Sequence, residues 1–325
     1  MAKLIFAEAA KNLGETVKRI IIDCDPGIDD AQAIMMAYQH PNVIIEAITT
    51  VNGNVDVEKT TANALKILDV LDAVGVPVYP GAKMGLVEYG ENASFFHGED
   101  GLGDASIPVS MQKAEEELAA LAMIRLAKTF PGELELIAIG PLTNLALALH
   151  LEPNLPSFFK QLVVMGGAYL AQGNTQNFPA EFNIFADPEA AKVVFDRWPE
   201  FTLVSWETTL DHGLPMDLFQ GFLNHDNPRS AFLKQITKNM LAIASEKLKR
   251  TSVYAADPLA MAVLIEPEIV LDSFYKYVKV ETHGSMSRGM TVVDWLGLSG
   301  GKPNVKIVKR VDSDRFIELY KLTFE

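Results

Sequence analysis

Asp23, Asp25, Asp29 and Asp30 stand within eight positions of one another, in the segment Arg19-Ile-Ile-Ile-Asp-Cys-Asp-Pro-Gly-Ile-Asp-Asp30. An apolar strand-like run ends on the first two. Pro26 and Gly27 then turn the chain toward a helical pattern whose first turn holds the other two. A helix N-terminus favours negative charge and aspartates commonly cap helices, so either Asp29 or Asp30 has an ordinary structural explanation. Asp23 and Asp25, at a strand end, do not. Carboxylates this close repel, and a hard cation such as Ca2+, which takes roughly six to eight oxygen ligands, offsets that repulsion. The spacing is not that of an EF-hand, because Ile28 falls where the loop glycine is required and Ile34 where its glutamate is required. Carboxylates beside a cation suit hydrolysis: the cation polarises a water and a neighbouring carboxylate takes its proton.

The elements that must position these groups read as an alternation. Near-continuous apolar runs at residues 19–24, 43–50, 134–140, 161–166 and 201–206 have the character of buried parallel strands. Helical patterns lie between them at 29–39, 57–74, 111–130, 142–151 and 188–198. A further helix is expected over 230–249, and short strand-like pieces at 276–280 and 304–311. The stretches 81–108 and 168–179 lack a period and read as loops. The fold expected is α/β, one domain over residues 1–325 with an open, mostly parallel sheet flanked by helices, and residues 1–17 as a possible N-terminal extension. Ligands of such sheets bind at the carboxyl ends of the strands, where the aspartates and the loops gather.

Composition narrows the partners. A net charge of −14 disfavours phosphate backbones and anionic lipid, so neither nucleic acid nor membrane is an expected partner. Cys24 is the only cysteine, which excludes an intramolecular disulfide and suits a reducing compartment, with the cytoplasm the expected location. The first ten residues are too short and too charged for a signal peptide, and no run approaches transmembrane length.

The segment from Asp23 to Asp30 resembles the fingerprint Asp-x-Asp-Pro-Gly-x-Asp-Asp of the inosine-uridine preferring nucleoside hydrolase family and matches it in full. Thr49-Thr-Val-Asn-Gly-Asn54, His97-Gly-Glu-Asp-Gly-Leu102, Gly140-Pro-Leu-Thr-Asn-Leu145, Val164-Met-Gly-Gly167, Glu181-Phe-Asn183 and Asp187-Pro-Glu-Ala-Ala191 resemble further family motifs in family order. The resemblance implies cleavage of the N-glycosidic bond of ribonucleosides to free base and ribose, in purine and pyrimidine salvage. It implies Ca2+ held by Asp25, Asp30, Asp257 and the main-chain carbonyl of Thr143, with Asp25 also the general base toward a metal-bound water attacking C1′. Asp29, Asn54, Glu181 and Asn183 would hold the ribose hydroxyls, with Met165 beside the sugar. An asparagine of the preceding loop would reach the 5′ end. Asn174 is assigned there and Asn177 is its rival, because the loop 173–180 is one residue longer than the family form. A homo-oligomer, dimer or tetramer, is also implied.

This chemistry explains the residue types. Breaking the C1′–N bond builds positive charge on the sugar, which carboxylates stabilise. Ribose hydroxyls both donate and accept, so Asp, Asn and Glu satisfy them. Taken singly, Thr143 also reads as a helix-entry residue after Pro141, Asp257 as an N-cap before Pro258, and Glu181 and Asn183 as loop polarity. His97, in a Gly-rich loop, is moved by the resemblance to a contact with the base and is a candidate catalytic residue.

The chain departs from the pattern at Ala256. Many family members have histidine there, held to protonate the departing base, and another branch has tryptophan. Alanine neither donates a proton nor stacks, which leaves His97, Tyr254, Phe95 and Phe96 as candidates for leaving-group activation. Two other readings compete: a catalytically weak or inactive calcium- and ribonucleoside-binding protein, and an Asp-x-Asp phosphohydrolase of the haloacid-dehalogenase type. Gly27 and the pair Asp29-Asp30 speak against the second. There is no P-loop, and Gly101-Leu-Gly103 lacks the third glycine of a dinucleotide-binding turn.

Overall fold

The computed structural model describes residues 17–247 and 249–325; of the expected extension over 1–17, all but Val17 lies outside them. Apolar runs become strands β1 (Lys18–Cys24), β2 (Val43–Thr50), β3 (Val78–Pro80), β4 (Leu134–Ala138), β5 (Phe159–Met165), β6 (Phe201–Val204), β7 (Val270–Lys276) and β8 (Val305–Val311). They form one sheet in the order β3-β2-β1-β4-β5-β6-β8-β7, parallel except for the last pair. Ile20, Ile22 and Cys24 of β1 face one core and Ile21 faces the other, so strands covered on both sides stay apolar throughout.

The principal helices are α1 (Ile28–Gln39), α2 (Val57–Val70), α3 (Ala119–Thr129), α4 (Thr143–Leu151), α5 (Pro188–Arg197), α6 (Ala256–Ile265) and α7 (Ser313–Lys321). Helix α6 is buried along its whole length, as its sequence ADPLAMAVLI requires, and shares a core with α1. Among the described residues no helix is long and apolar enough to cross a membrane.

The sheet order puts β2 and β3 on one side of β1 and β4 on the other. The chain therefore reverses its direction of travel between β1 and β4, and the loops after these two strands diverge to open a crevice. Asp25 follows β1 directly, and Thr143 follows β4.

Several expected elements differ. The helix expected from residue 111 begins at Ala119; before it the chain is irregular, and the Glu115 N–H donates to the Val78 carbonyl, covering the outer edge of β3. The helix expected over 230–249 breaks into Pro228–Ile236, Lys238–Ala242 and a π-turn Ile243–Lys247. At its first break the Thr237 hydroxyl competes for the Leu233 carbonyl at 2.7 Å. The strand expected over 276–280 divides at Tyr277: β7 pairs with β8, while Val278–Val280 pairs with Thr291–Val293. Asn304 sits at the division, bonding both the N–H and the C=O of Val278. Helix α7 closes the chain over a core of Phe316, Leu319 and Tyr320.

Candidate functional site

Asp25 is clasped by glycines. A Cβ on Gly53 would lie 2.1 Å from its Oδ2 and one on Gly140 2.6 Å from its Oδ1, so both loops approach it as only glycine allows. Its Oδ2 accepts the Asn54 N–H at 2.7 Å. Asp30 accepts the N–H groups of Asp25 at 3.1 Å and Gly27 at 3.0 Å, which makes it the aspartate that closes the turn into α1. The Asn54 amide donates to the Asp25 carbonyl and to Asp30 Oδ2, both at 3.1 Å, leaving its Oδ1 for another partner.

Asp29 and Asp257 are different. Neither makes a hydrogen bond or ion pair among the described residues, yet carboxylate oxygens of Asp29, Asp30 and Asp257 all lie within 4.8 Å of one another. The capping role open to Asp257 is not realised, because Ala255 is the N-cap of α6 and no side chain caps it. Burial raises the pKa of Asp25 well above the carboxylate range, with repulsion from Asp30 adding to it. Burial likewise raises Asp257, with Asp29 and Asp30 adding, and brings Asp30 to about 7. Carboxylates facing one another at and below the cavity surface, two of them without a side-chain partner among the described residues, are a donor set that fits a hard divalent cation.

A cavity of about 540 Å3 opens above this cluster. Asp29, Asp257, Asn54, Met165, Asn174, Glu181, Asn183 and His97 line it; Asp25, Asp30 and Thr143 lie behind its surface. Of the two loop asparagines, Asn174 reaches the cavity and accepts the Phe182 N–H at 2.9 Å, whereas Asn177 bonds the Arg288 carbonyl. Glu181 is the N-cap of the short helix Phe182–Ala186 and also accepts the Gly167 N–H at 2.8 Å. Burial nonetheless raises it to about 7. Asn183 donates to the carbonyls of Ile139 and Met165 and to the Met165 sulfur, which ties the ends of β4 and β5 to the short helix Phe182–Ala186. The Thr143 hydroxyl donates to Asp187 at 2.7 Å.

The opposite wall is apolar and aromatic. His97 ends the helix Ser94–His97; its Nδ1 accepts the Ile28 N–H at 3.1 Å, so in the neutral ring Nε2 carries the proton. Burial lowers its pKa and keeps it neutral. Phe96 meets it edge-on, Tyr254 packs against Trp206, and the Arg250 guanidinium lies 4.9 Å from the Tyr254 ring. Ala256 lines the same wall, as do Phe95 and Gln32.

Sequence reasoning missed Gln32, Trp206 and Glu207. Gln32 carried a signal, being the one polar residue in the stretch from Ala31 to Ala37. Glu207 carried none. Its buried carboxylate accepts the N–H groups of Tyr169, Leu170 and Gln172, pinning the loop that leads to Asn174.

The open α/β fold that carries this acidic crevice is that of nucleoside hydrolases. An inosine-guanosine nucleoside hydrolase superposes with a TM-score of 0.87 at 34% identity, over 95% of this chain and 99% of the other. A purine-preferring ribonucleoside hydrolase from Gardnerella vaginalis gives 0.85 at 31% identity, over 94% and 98%. The family model of the inosine-uridine preferring nucleoside hydrolases matches residues 20–318, and the chain belongs to that family. An inosine-uridine preferring nucleoside hydrolase of Leishmania major is 37% identical over 302 residues, 92% of this chain and 95% of the relative. A pyrimidine-specific ribonucleoside hydrolase of Klebsiella pneumoniae is 35% identical over the same shares within one per cent. The protein is thus a hydrolase of N-glycosyl compounds acting on ribonucleosides.

Proposed function

We propose that the enzyme is a Ca2+-dependent ribonucleoside hydrolase in which the aspartates after β1 activate water and the polar cavity floor holds ribose. The observation that carries this is the pair Asp29 and Asp257, carboxylates without a protein partner whose oxygens converge with those of Asp30. Asp25, Asp30, Asp257 and the Thr143 carbonyl hold the ion. When bound, it offsets the repulsion among the carboxylates and makes a nearby water more acidic.

Asp25 takes the proton from the attacking water, being the carboxylate that the loops at Gly53 and Gly140 close upon. Asp29, Asn54 through its free Oδ1, Glu181 and Asn183 meet the ribose hydroxyls, and the negative charge of this floor stabilises the positive charge that grows on the sugar. Met165 lies beside the sugar and Asn174 at its 5′ end. His97 faces the base and offers it a hydrogen bond from Nε2–H; it would act as the acid toward the departing base only after its ring gains a second proton. Cytoplasmic location, a homo-oligomeric state and a place in nucleobase salvage belong to the same reading.

A second arrangement is favoured by one observation. The converging carboxylates are Asp29, Asp30 and Asp257, so Asp29 is a rival to Asp25 as the third carboxylate ligand. Calorimetric titration of chelator-treated protein with Ca2+ decides between them: loss of binding in Asp25→Asn but not Asp29→Asn supports the first, the reverse pattern the second. No Ca2+ binding by the unaltered protein overturns both. Turnover is tested with a panel of ribonucleosides, measuring free base and ribose separately; equal release of the two is expected.

A further inference from the structure

The relatives are described as inosine-uridine preferring, pyrimidine-specific and purine-preferring at 31–37% identity, so membership of the family does not by itself fix the base. We propose that Gln32 reads the base: its side-chain amide donates a hydrogen bond to a carbonyl oxygen of the nucleobase, favouring 6-keto purines and 4-keto pyrimidines over their amino counterparts. The inference rests on the ribonucleoside reading above and adds to it the residue that discriminates keto from amino bases.

Gln32 lies three residues beyond Asp29 on α1, hence on the same helix face about one turn further along. It lines the cavity yet is only 2% exposed, and the apolar part of the same lining includes Ile28, Phe96, Met240 and Ala256. In a wall this apolar, one polar group orients whatever occupies the space. The amide is also fixed in direction. Tyr320 is fully buried among the rings of Phe219, Phe222, Phe316 and Phe324, and its hydroxyl donates to Gln32 Oε1. A buried phenol needs that acceptor, so Oε1 is held toward α7 and Nε2 is turned away from it.

Nε2 has no partner among the described residues. The cavity is therefore offered two N–H groups and no acceptor from this side chain. A keto oxygen satisfies such a donor. An exocyclic amino group would set donor against donor and leave the buried amide unpaired, which is the more effective form of discrimination.

The test compares kcat/KM for inosine with adenosine and for uridine with cytidine. Unaltered enzyme is expected to favour the keto member of each pair by about ten-fold, the effect of one buried hydrogen bond. Gln32→Met, close in size but without a donor, should bring both ratios near unity by loss on the keto substrates, while inhibition by the product ribose is unchanged. Because this variant orphans the Tyr320 hydroxyl, the double variant Gln32→Met/Tyr320→Phe, which removes both partners, is measured beside it and should give the same ratios. Tyr320→Phe alone frees Oε1 to turn toward the cavity, and should lower the ratios by gain on the amino substrates. A structural role would instead slow all four nucleosides alike. Ratios within two-fold of the unaltered enzyme in the double variant, with nucleosides still cleaved, overturn the inference alone; absence of any ribonucleoside cleavage by the unaltered enzyme overturns the function and the inference together.

Discussion

The acidic floor and the aromatic wall of the cavity are supplied by the chain in different ways. The floor comes from strand ends and helix starts: Asp25, Asp29 and Asp30 from the turn between β1 and α1, and Asp257 from the first turn of α6. Both helix N-termini add partial positive charge where the carboxylates gather, and glycines at 53 and 140 let the backbone close on Asp25. The wall comes mostly from connections: the short helix Ser94–His97, Trp206 after β6, and the stretch from Arg250 to Tyr254 before α6. The carboxylates thus sit at the ends of regular elements, whereas most of the aromatic wall sits on connections, joined there by Gln32 of α1 and Ala256 of α6.

The largest effect is expected on the floor. Asp25→Asn keeps the shape and removes the base, so kcat should fall by at least about 10^2–10^4-fold with little change in thermal midpoint. A variant within a few-fold of the unaltered kcat would break the floor's claim to the chemistry.

On the wall, Ala256→His places an imidazole in the cavity lining. It should raise kcat on natural nucleosides more than on a nitrophenyl riboside, whose leaving group needs little protonation, by up to about 10^2–10^4-fold if the geometry is good. Should the unaltered enzyme already cleave a natural nucleoside as fast as the activated riboside, and His97→Ala remove only that natural activity, then His97 is the acid and the wall does not lack one.

A smaller effect concerns the ribose hydroxyls. A 2′-deoxynucleoside leaves a floor group without its partner, at a cost of roughly 1–3 kcal/mol, and should show kcat/KM lower by about 5- to 150-fold. Equal values for ribo- and deoxyribonucleosides would remove Asp29 and Asn54 from the sugar.

The smallest is a stability effect. Glu181 is raised from 4.5 to about 7 in the folded chain by burial. A group raised in the folded state contributes stability that is fully present below its unfolded pKa and is lost as pH rises through the folded one. Stability should therefore fall between pH 4.5 and about 7, and Glu181→Gln should flatten that slope by up to about 3 kcal/mol across the window. Parallel denaturation curves for the two proteins at pH 5 and pH 7 would show that Glu181 carries no such charge burial.

What the sequence determined by itself was local. Continuous apolar runs specify strands covered on both faces, and those at residues 43–50 and 201–206 begin where β2 and β6 begin. Pro26, Gly27 and two acidic residues specify a turn into a helix, and α1 starts there. The floor residues were legible for the same reason, since most lie just after a strand or at a helix start. Tertiary structure decided what depends on distant partners. Asp257 lacks a capping role and meets Asp29 only because α6 packs against α1, and Asn174 rather than Asn177 reaches the cavity only because of how the loop folds over Arg288. Gln32 is oriented by Tyr320, 288 positions away, and Glu207 holds three backbone N–H groups of a loop 35 to 38 positions before it. Propensity and periodicity reach a few residues along a chain, while the direction in which a buried side chain points is settled by the atoms packed around it.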